Sequence, residues 1–224
     1  MFYDDKIKEF SDINRSINAI YCEKHNIDLI VSNKIKNPHR KPHWERIYLI
    51  LEHLSKYDYM VWIDSDAFFY ENSKHIMEII KEHDTPFIFS RDRGSSCPKP
   101  PLNIGINSGV FIVKNSQYCI DFLKKWGYDE DIHNYALEMK RWHDQEGLLY
   151  MFEHNIMDIK DNSTILDYGV LQHFNIDDLE NKPYIFHAAG KNNDIRIQMS
   201  QFYFKKIKQK YSTSHKGPYK MILF

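Results

Sequence analysis

Two aspartates one residue apart, Asp64 and Asp66, stand directly behind the apolar run Tyr59-Met60-Val61-Trp62-Ile63. Carboxylates held at the end of a buried strand repel one another and lose hydration, which is costly unless a cation lies between them. Hard oxygen ligands suit Mg²⁺ or Mn²⁺, ions that keep phosphate oxygens in their coordination sphere. The chemistry indicated is metal-assisted handling of a diphosphate, with an N-cap or turn use of aspartate as the alternative. Context matters, because Asp-x-Asp is common: Asp129-Glu130-Asp131 repeats it with no strand in front and reads as a solvated acidic loop.

Three further clusters carry polar chemistry. Asn107-Ser108-Gly109, ahead of the apolar run Val110 to Val113, is either an ordinary entry into a strand or a place where backbone approaches a ligand and amide and hydroxyl groups meet sugar hydroxyls. Trp142-His143-Asp144-Gln145-Glu146 gathers acids, an amide, an imidazole and an indole at a helix start, where Asp144 could equally be the N-cap. His187-Ala188-Ala189-Gly190-Lys191 places an imidazole at a strand end before small residues and a cation. A lone histidine is commonly structural, but an imidazole can complete a manganese site and Lys191 can neutralise phosphate.

The elements that must position these groups follow from periodicity. Apolar residues at helical spacing predict a helix from Ser11, as N-cap, to His25, and a second through Trp44, Ile47, Tyr48, Leu51 and Leu54 behind Pro42. Further helices are expected over Ser73 to His83, Ser116 to Trp126 with Gly127 as the stop, Asp144 to His154, and Ile195 to Tyr211. Strands are expected over Ile27 to Val31, Tyr59 to Ile63 as a central strand covered on both faces, Phe87 to Phe89, Val110 to Val113, and Tyr184 to Phe186. Arg91 to Pro101, broken by Gly94 and three prolines, reads as a functional loop. Alternating strands and helices predict an α/β sandwich with a mostly parallel central sheet, whose ligands bind beyond the carboxyl ends of the strands.

The 224 residues suit one domain. With 42% hydrophobic residues the chain can bury a core. Lys and Arg number 30 against 31 Asp and Glu, so the cationic surplus of a nucleic-acid binder is missing and no nucleic-acid partner is expected. No apolar stretch approaches the roughly 20 residues a spanning helix needs, and the N-terminus lacks the pattern of a signal peptide. The expectation is a soluble, cytoplasmic chain, monomeric or weakly dimeric. Cys22, Cys97 and Cys119 form no Cys-x-x-Cys pair and read as plain thiols.

Taken in order, Lys41-Pro42-His43-Trp44-Glu45-Arg46, Trp62-Ile63-Asp64-Ser65-Asp66-Ala67, Ile106-Asn107-Ser108-Gly109 with Lys114-Asn115-Ser116, His143-Asp144-Gln145 and His187-Ala188-Ala189-Gly190-Lys191 resemble one glycosyltransferase family. It is the family of yeast-type α-galactosyl- and α-mannosyltransferases and plant xyloglucan α-xylosyltransferases, and the resemblance runs from about Ser11 to Met199. It implies a single GT-A domain over residues 1–224, a UDP-sugar donor with GDP-sugar as the alternative, Mn²⁺ or Mg²⁺, a glycan or glycoconjugate acceptor, and retention of anomeric configuration. It further implies Asp64, Asp66 and His187 as metal ligands and Lys191 on the diphosphate. Arg46, Ser65, Asn107, Ser108 and Gly109 would lie on the donor side, with Asp144 and Gln145 beside the anomeric carbon. Only Met1 to Ile7 precede the first helix, so the first nucleotide-binding strand is expected to be short or missing, and the chain resembles a bare catalytic domain of a longer polypeptide. The competing readings are a phosphatase using Asp64 as nucleophile, a sugar nucleotidyltransferase, and a binding relic without catalysis. Phe68 stands where the phosphatase pattern has Thr or Val, and no Gly-rich basic loop supports a nucleotidyltransferase.

Overall fold

The computed structural model describes residues 1–92, 105–141, 143–175 and 184–214, with side chains to residue 210. Most of the loop from Arg91 to Pro101, together with Cys97 and Trp142, lies outside the described residues.

Helix α1, Lys8–His25, begins three residues before the expected Ser11 cap. A 3-10 turn at Asp5–Ile7, capped by the Asp4 side chain on the Lys6 amide, starts the winding. Ser11 is therefore interior, and its hydroxyl bonds back to the Ile7 carbonyl at 2.6 Å. The buried stripe Phe10, Asn14, Ile17, Asn18 and Tyr21 follows helical spacing but contains two amides, which the apolar pattern passed over. Ile27 to Val31, expected as a strand, joins no sheet among the described residues. The chain there makes one parallel bridge, Phe2 to Ser32, with the Tyr3 amide donating to the Ser32 carbonyl and the Ser32 amide to the Met1 carbonyl.

Helix α2 is Glu45–His53, β1 Tyr59–Ile63, β2 Ala67–Phe69, α3 Met77–His83, β3 Phe87–Arg91, β4 Ile106–Lys114, α4 Gln117–Tyr128, α5 Glu130–Met139, α6 Asp144–Glu153, β5 Ser163–Leu166, β6 Gln172–His173, β7 Ile185–His187 and α7 Asn193–Ser214. Asp129, read from sequence as part of an acidic loop, caps α5 by accepting from the Asp131 and Ile132 amides. Gly127 does not stop α4. It lies inside the helix, where a Cβ would come within 2.8 Å of Ile47 Cγ2, so its role is close packing of α4 on α2.

The α/β architecture is as expected, but the pairing is mixed rather than mostly parallel. In the four-stranded sheet, ordered β1-β4-β3-β5, β4 is antiparallel to both β1 and β3, and only β3 and β5 run parallel. In the three-stranded sheet, β2-β7-β6, β2 and β7 are antiparallel and β6 and β7 parallel. Strands buried on both faces lose the polar alternation whatever their direction, which is why the sequence pattern could not distinguish the two. β1 also lies at one end of the sheet, not at its centre.

Alternation within the strands sorts side chains into two layers. Phe87, Phe89, Phe111 and Val113 pack with Trp44, Ile47, Phe122, Trp126 and Phe152 on one face. Ile63, Ile88, Val110 and Ile112 pack with Tyr21, Ile76 and Ile79 on the other. A third cluster, Ile17, Phe68, Phe186, Tyr203 and Ile207, clamps the small sheet between α1 and α7. These layers fix the strand ends from which the polar residues project.

Candidate functional site

The carboxyl end of β1 delivers Asp64, whose amide donates to the Gly109 carbonyl at 2.8 Å. The chain then turns into β2, where Ala67 pairs with His187, and the Ala188 amide donates to the Asp66 carbonyl at 2.9 Å. Both sheets thus bring one set of groups together: Asp64, Asp66 and His187 each offer an atom within 4.8 Å of the others. His187 Nε2 lies 3.2 Å from Asp66 Oδ1 and 4.0 Å from Asp64 Oδ2. Two carboxylates and an imidazole are a donor set suited to Mn²⁺ or Mg²⁺.

Gly109 is required by this packing. A Cβ on it would sit 2.2 Å from His187 Cε1 and 2.8 Å from Asp64 Oδ2. The glycine makes room for the acids and the imidazole, and it lies with Asn107 and Ser108 inside β4 instead of ahead of a strand. Its backbone amide also fixes a chain of hydrogen-bond directions. Gly109 N–H donates to Asn107 Oδ1, which accepts from Gln172 Nε2, so Gln172 Oε1 accepts from His187 Nδ1 at 2.7 Å. Nδ1 carries the proton and Nε2 points at the aspartates, the tautomer a metal-binding imidazole needs.

Arg46, from α2, runs behind the acids with little exposure. It meets Asp64 at 3.1 Å and Asp144 at 3.2 Å, and donates to the Ser108 hydroxyl at 2.8 Å and to the Ser108 carbonyl. Asp144 and Gln145 begin α6 and turn onto Ser108, whose amide donates to Gln145 Oε1 at 2.9 Å. Burial, aided by the repulsive charge of Asp64, pushes the Asp144 carboxyl up to about 7 despite the Arg46 guanidinium. Burial opposes ionisation of Asp66 as well, but His187 and Arg196 outweigh it and hold that carboxyl down at about 2. The Asp144 cap role weighed from sequence is not seen: His143 is the cap residue, at φ 50°, and its ring meets that of His43 in a tilted contact at 4.5 Å between centroids.

A cavity of about 310 Å³ opens beside the acids, lined by Lys6, His43, Arg46, Asp64, Ser65, Asp66 and Arg196 among others. Lys191, Asn107, Ser108, Gly109, Asp144 and Gln145 are not among its lining residues. A second cavity, about 180 Å³, lies along the free edge of β1 between Ile27–Ile30 and Tyr59–Ile63; it is largely apolar and distant in character from the acids.

Sequence reasoning missed four contributors. Asn14 Nδ2 donates to the Ser65 carbonyl at 2.9 Å, and Asn18 holds Ala67 and Phe69 of β2. Their signal was two amides four residues apart on an apolar helix face. Gln172, in a two-residue strand, and Arg196, on α7 at 2.8 Å from Asp66, gave no local signal.

The cavity lies at a strand end beside an Asp-Asp-His cluster, in an α/β fold whose ligand sites form at such strand ends. The profile of the nucleotide-diphospho-sugar transferase family matches residues 3–202, and the chain belongs to that family. Galactomannan galactosyltransferase 1 of Cyamopsis tetragonoloba is 26% identical over 155 residues, 66% of this chain and 33% of that protein. Probable xyloglucan 6-xylosyltransferase 1 of Oryza sativa subsp. indica is 26% identical over 111 residues, 47% of this chain and 24% of that protein. The chain therefore spans about a third or less of these relatives. Among solved structures, a glycosyltransferase involved in glycosylation of the major capsid of PBCV-1 superposes with TM-score 0.69 at 15% identity, covering 90% of this chain and 97% of that one. The galactosyltransferase LgtC in complex with donor and acceptor sugar analogs gives TM-score 0.53 at 13% identity, covering 90% and 94%. These two likenesses establish the GT-A fold.

Proposed function

We propose that the chain is a metal-dependent glycosyltransferase moving a sugar from a nucleoside-diphosphate donor to a glycan hydroxyl, with retention. The observation that carries this reading is the Asp64, Asp66 and His187 cluster, whose two aspartates lie on the wall of the cavity, in a member of a nucleotide-sugar family. Mn²⁺ held by those three residues would supply positive charge to a departing diphosphate. Arg46 orients Asp64 toward that position, and Gln172 presents His187 Nε2 to it. Lys191 follows the His187 strand as an additional cation. Asn107, Ser108 and Gly109 would support the donor side from behind the cavity wall, Ser108 by holding Arg46 and Gln145 and Asn107 by holding Gln172, while Ser65 would border the donor in the cavity. Asp144 and Gln145 are assigned to the reacting centre through Ser108 and Arg46, the groups they now hold. The relatives' names, a galactosyltransferase and a xylosyltransferase, favour a hexose or pentose as the transferred sugar, and the carrier proposed is UDP, with GDP as the other base.

The test is donor hydrolysis by purified protein with Mn²⁺ across a panel of UDP- and GDP-sugars, following release of the nucleoside diphosphate. Release from one donor, lost with EDTA and in Asp66→Ala, is the expected result. Absence of both cleavage and Mn²⁺-dependent nucleotide binding would instead identify a fold that has lost the reaction.

A further inference from the structure

Arg196 belongs to none of the motifs that mark this site, yet it occupies the cavity wall nearest the acids. It lies in the first turn of α7, where Asn192 Oδ1 accepts from the Ile195 amide and fixes the helix start. Its guanidinium sits 5.5 Å above the Phe10 ring, which fixes its plane. Nη2 meets Asp66 Oδ2 at 2.8 Å, while the contacts of Nε with the Ala188 carbonyl and Nη1 with Asn193 Oδ1 are long, at 3.5 and 3.4 Å. The one strong partner of this cation is a residue that a metal would claim.

Two guanidiniums face the acids, Arg46 on Asp64 and Asp144 and Arg196 on Asp66, and they are committed differently. Arg46 is enclosed and committed to Asp64, Asp144 and Ser108. Arg196 alone of the two is partly open to the cavity, with 23% of its side chain exposed. A guanidinium matches phosphate oxygens in bidentate fashion. We propose that Arg196 is a diphosphate-binding residue of the donor site that guards Asp66 while the metal is absent and turns to the phosphates once the metal takes that carboxylate. This rests on the nucleotide-donor reading, and it couples the two ligands: the metal releases the cation that the diphosphate needs.

The test is calorimetry on wild type, Arg196→Gln and Arg196→Lys, titrating Mn²⁺ alone and then UDP and GDP at saturating Mn²⁺. In Arg196→Gln the affinity for Mn²⁺ alone should hold or rise, because a competing cation is gone. The affinity for whichever nucleotide the wild type binds should fall by about 10- to 100-fold. Arg196→Lys should keep part of the nucleotide affinity. Opposite signs for the two ligands are the signature, since a scaffold for Asp66 would lose both together. A parallel loss, or nucleotide affinity within about twofold of wild type, would overturn the proposal. If the wild type with Mn²⁺ binds neither UDP nor GDP, the donor reading itself fails, and this shows before any variant is measured.

Discussion

At the scale of single residues, Gly109 is the most constrained position of the site, because the imidazole of His187 fills the space its side chain would need. Gly109→Ala should push His187 off the aspartates, abolishing measurable Mn²⁺ binding in calorimetry and costing about 1–3 kcal/mol of stability by overpacking. Asp144 makes a pH-dependent contribution. Its carboxyl is raised to about 7 in the fold, above the roughly 3.9 of an unfolded aspartate, so the folded state holds a proton that the unfolded state has released. Stability from this group is thus lost as pH rises from about 4 to about 7. The Tm of Asp144→Asn relative to wild type, in EDTA, should therefore increase between pH 5 and pH 8; a flat or falling difference would refute it. The acids and His187 were legible because their types and order are distinctive. Gln172, which sets the His187 tautomer, was not, since an amide in a two-residue strand looks like any loop residue until the register with β7 is known.

At the scale of elements, α1 works as a clamp on the turn between the two aspartates. Asn18 Nδ2 donates to the Ala67 carbonyl at 3.1 Å and its Oδ1 accepts from the Phe69 amide at 2.9 Å, both buried. Asn18→Ala leaves two buried backbone groups unpaired, and chemical denaturation should show a loss of about 1–3 kcal/mol. Mn²⁺ affinity should weaken with it, because β2 is the element that holds Asp66 in place. The helices were readable from spacing, that from Ser116 above all, where the Ser116 hydroxyl caps the helix by accepting from the Cys119 amide. Helix α5 was not, because its cap Asp129 is also half of a second Asp-x-Asp, and an acidic triplet after a glycine reads as surface loop. Strand direction escaped too, since β3 and β4 are apolar on both faces and such a run looks the same in either pairing.

At the scale of the whole molecule, the ligand cluster joins two sheets that share no strand. Asp64 ends the four-stranded sheet, and Asp66 and His187 belong with the three-stranded one. A cation held by all three would tie the layers together, and at a hundredfold excess over its Kd should stabilise the fold by about 2.7 kcal/mol. Thermal unfolding with Mn²⁺ should show a higher Tm in wild type and none in Asp66→Ala. Within the four-stranded sheet the strands differ in how firmly they are held. The core pattern is strong at β3 and β4, whose faces are sealed by aromatic residues on one side and by isoleucine and valine on the other. Among the described residues β1 has a partner strand on one side only, and Asp64 N–H points to β4. Hydrogen-bonded and free positions alternate along an antiparallel strand, so the amides of Met60 and Trp62 face β4 with that of Asp64, while those of Val61 and Ile63 face the apolar cavity. In deuterium oxide this strand should therefore label in a two-residue rhythm, with Val61 and Ile63 exchanging well ahead of Trp62. The acid that anchors the metal would then sit at the end of a strand that breathes along one edge, and the depth of that rhythm would measure how firmly the open side is closed.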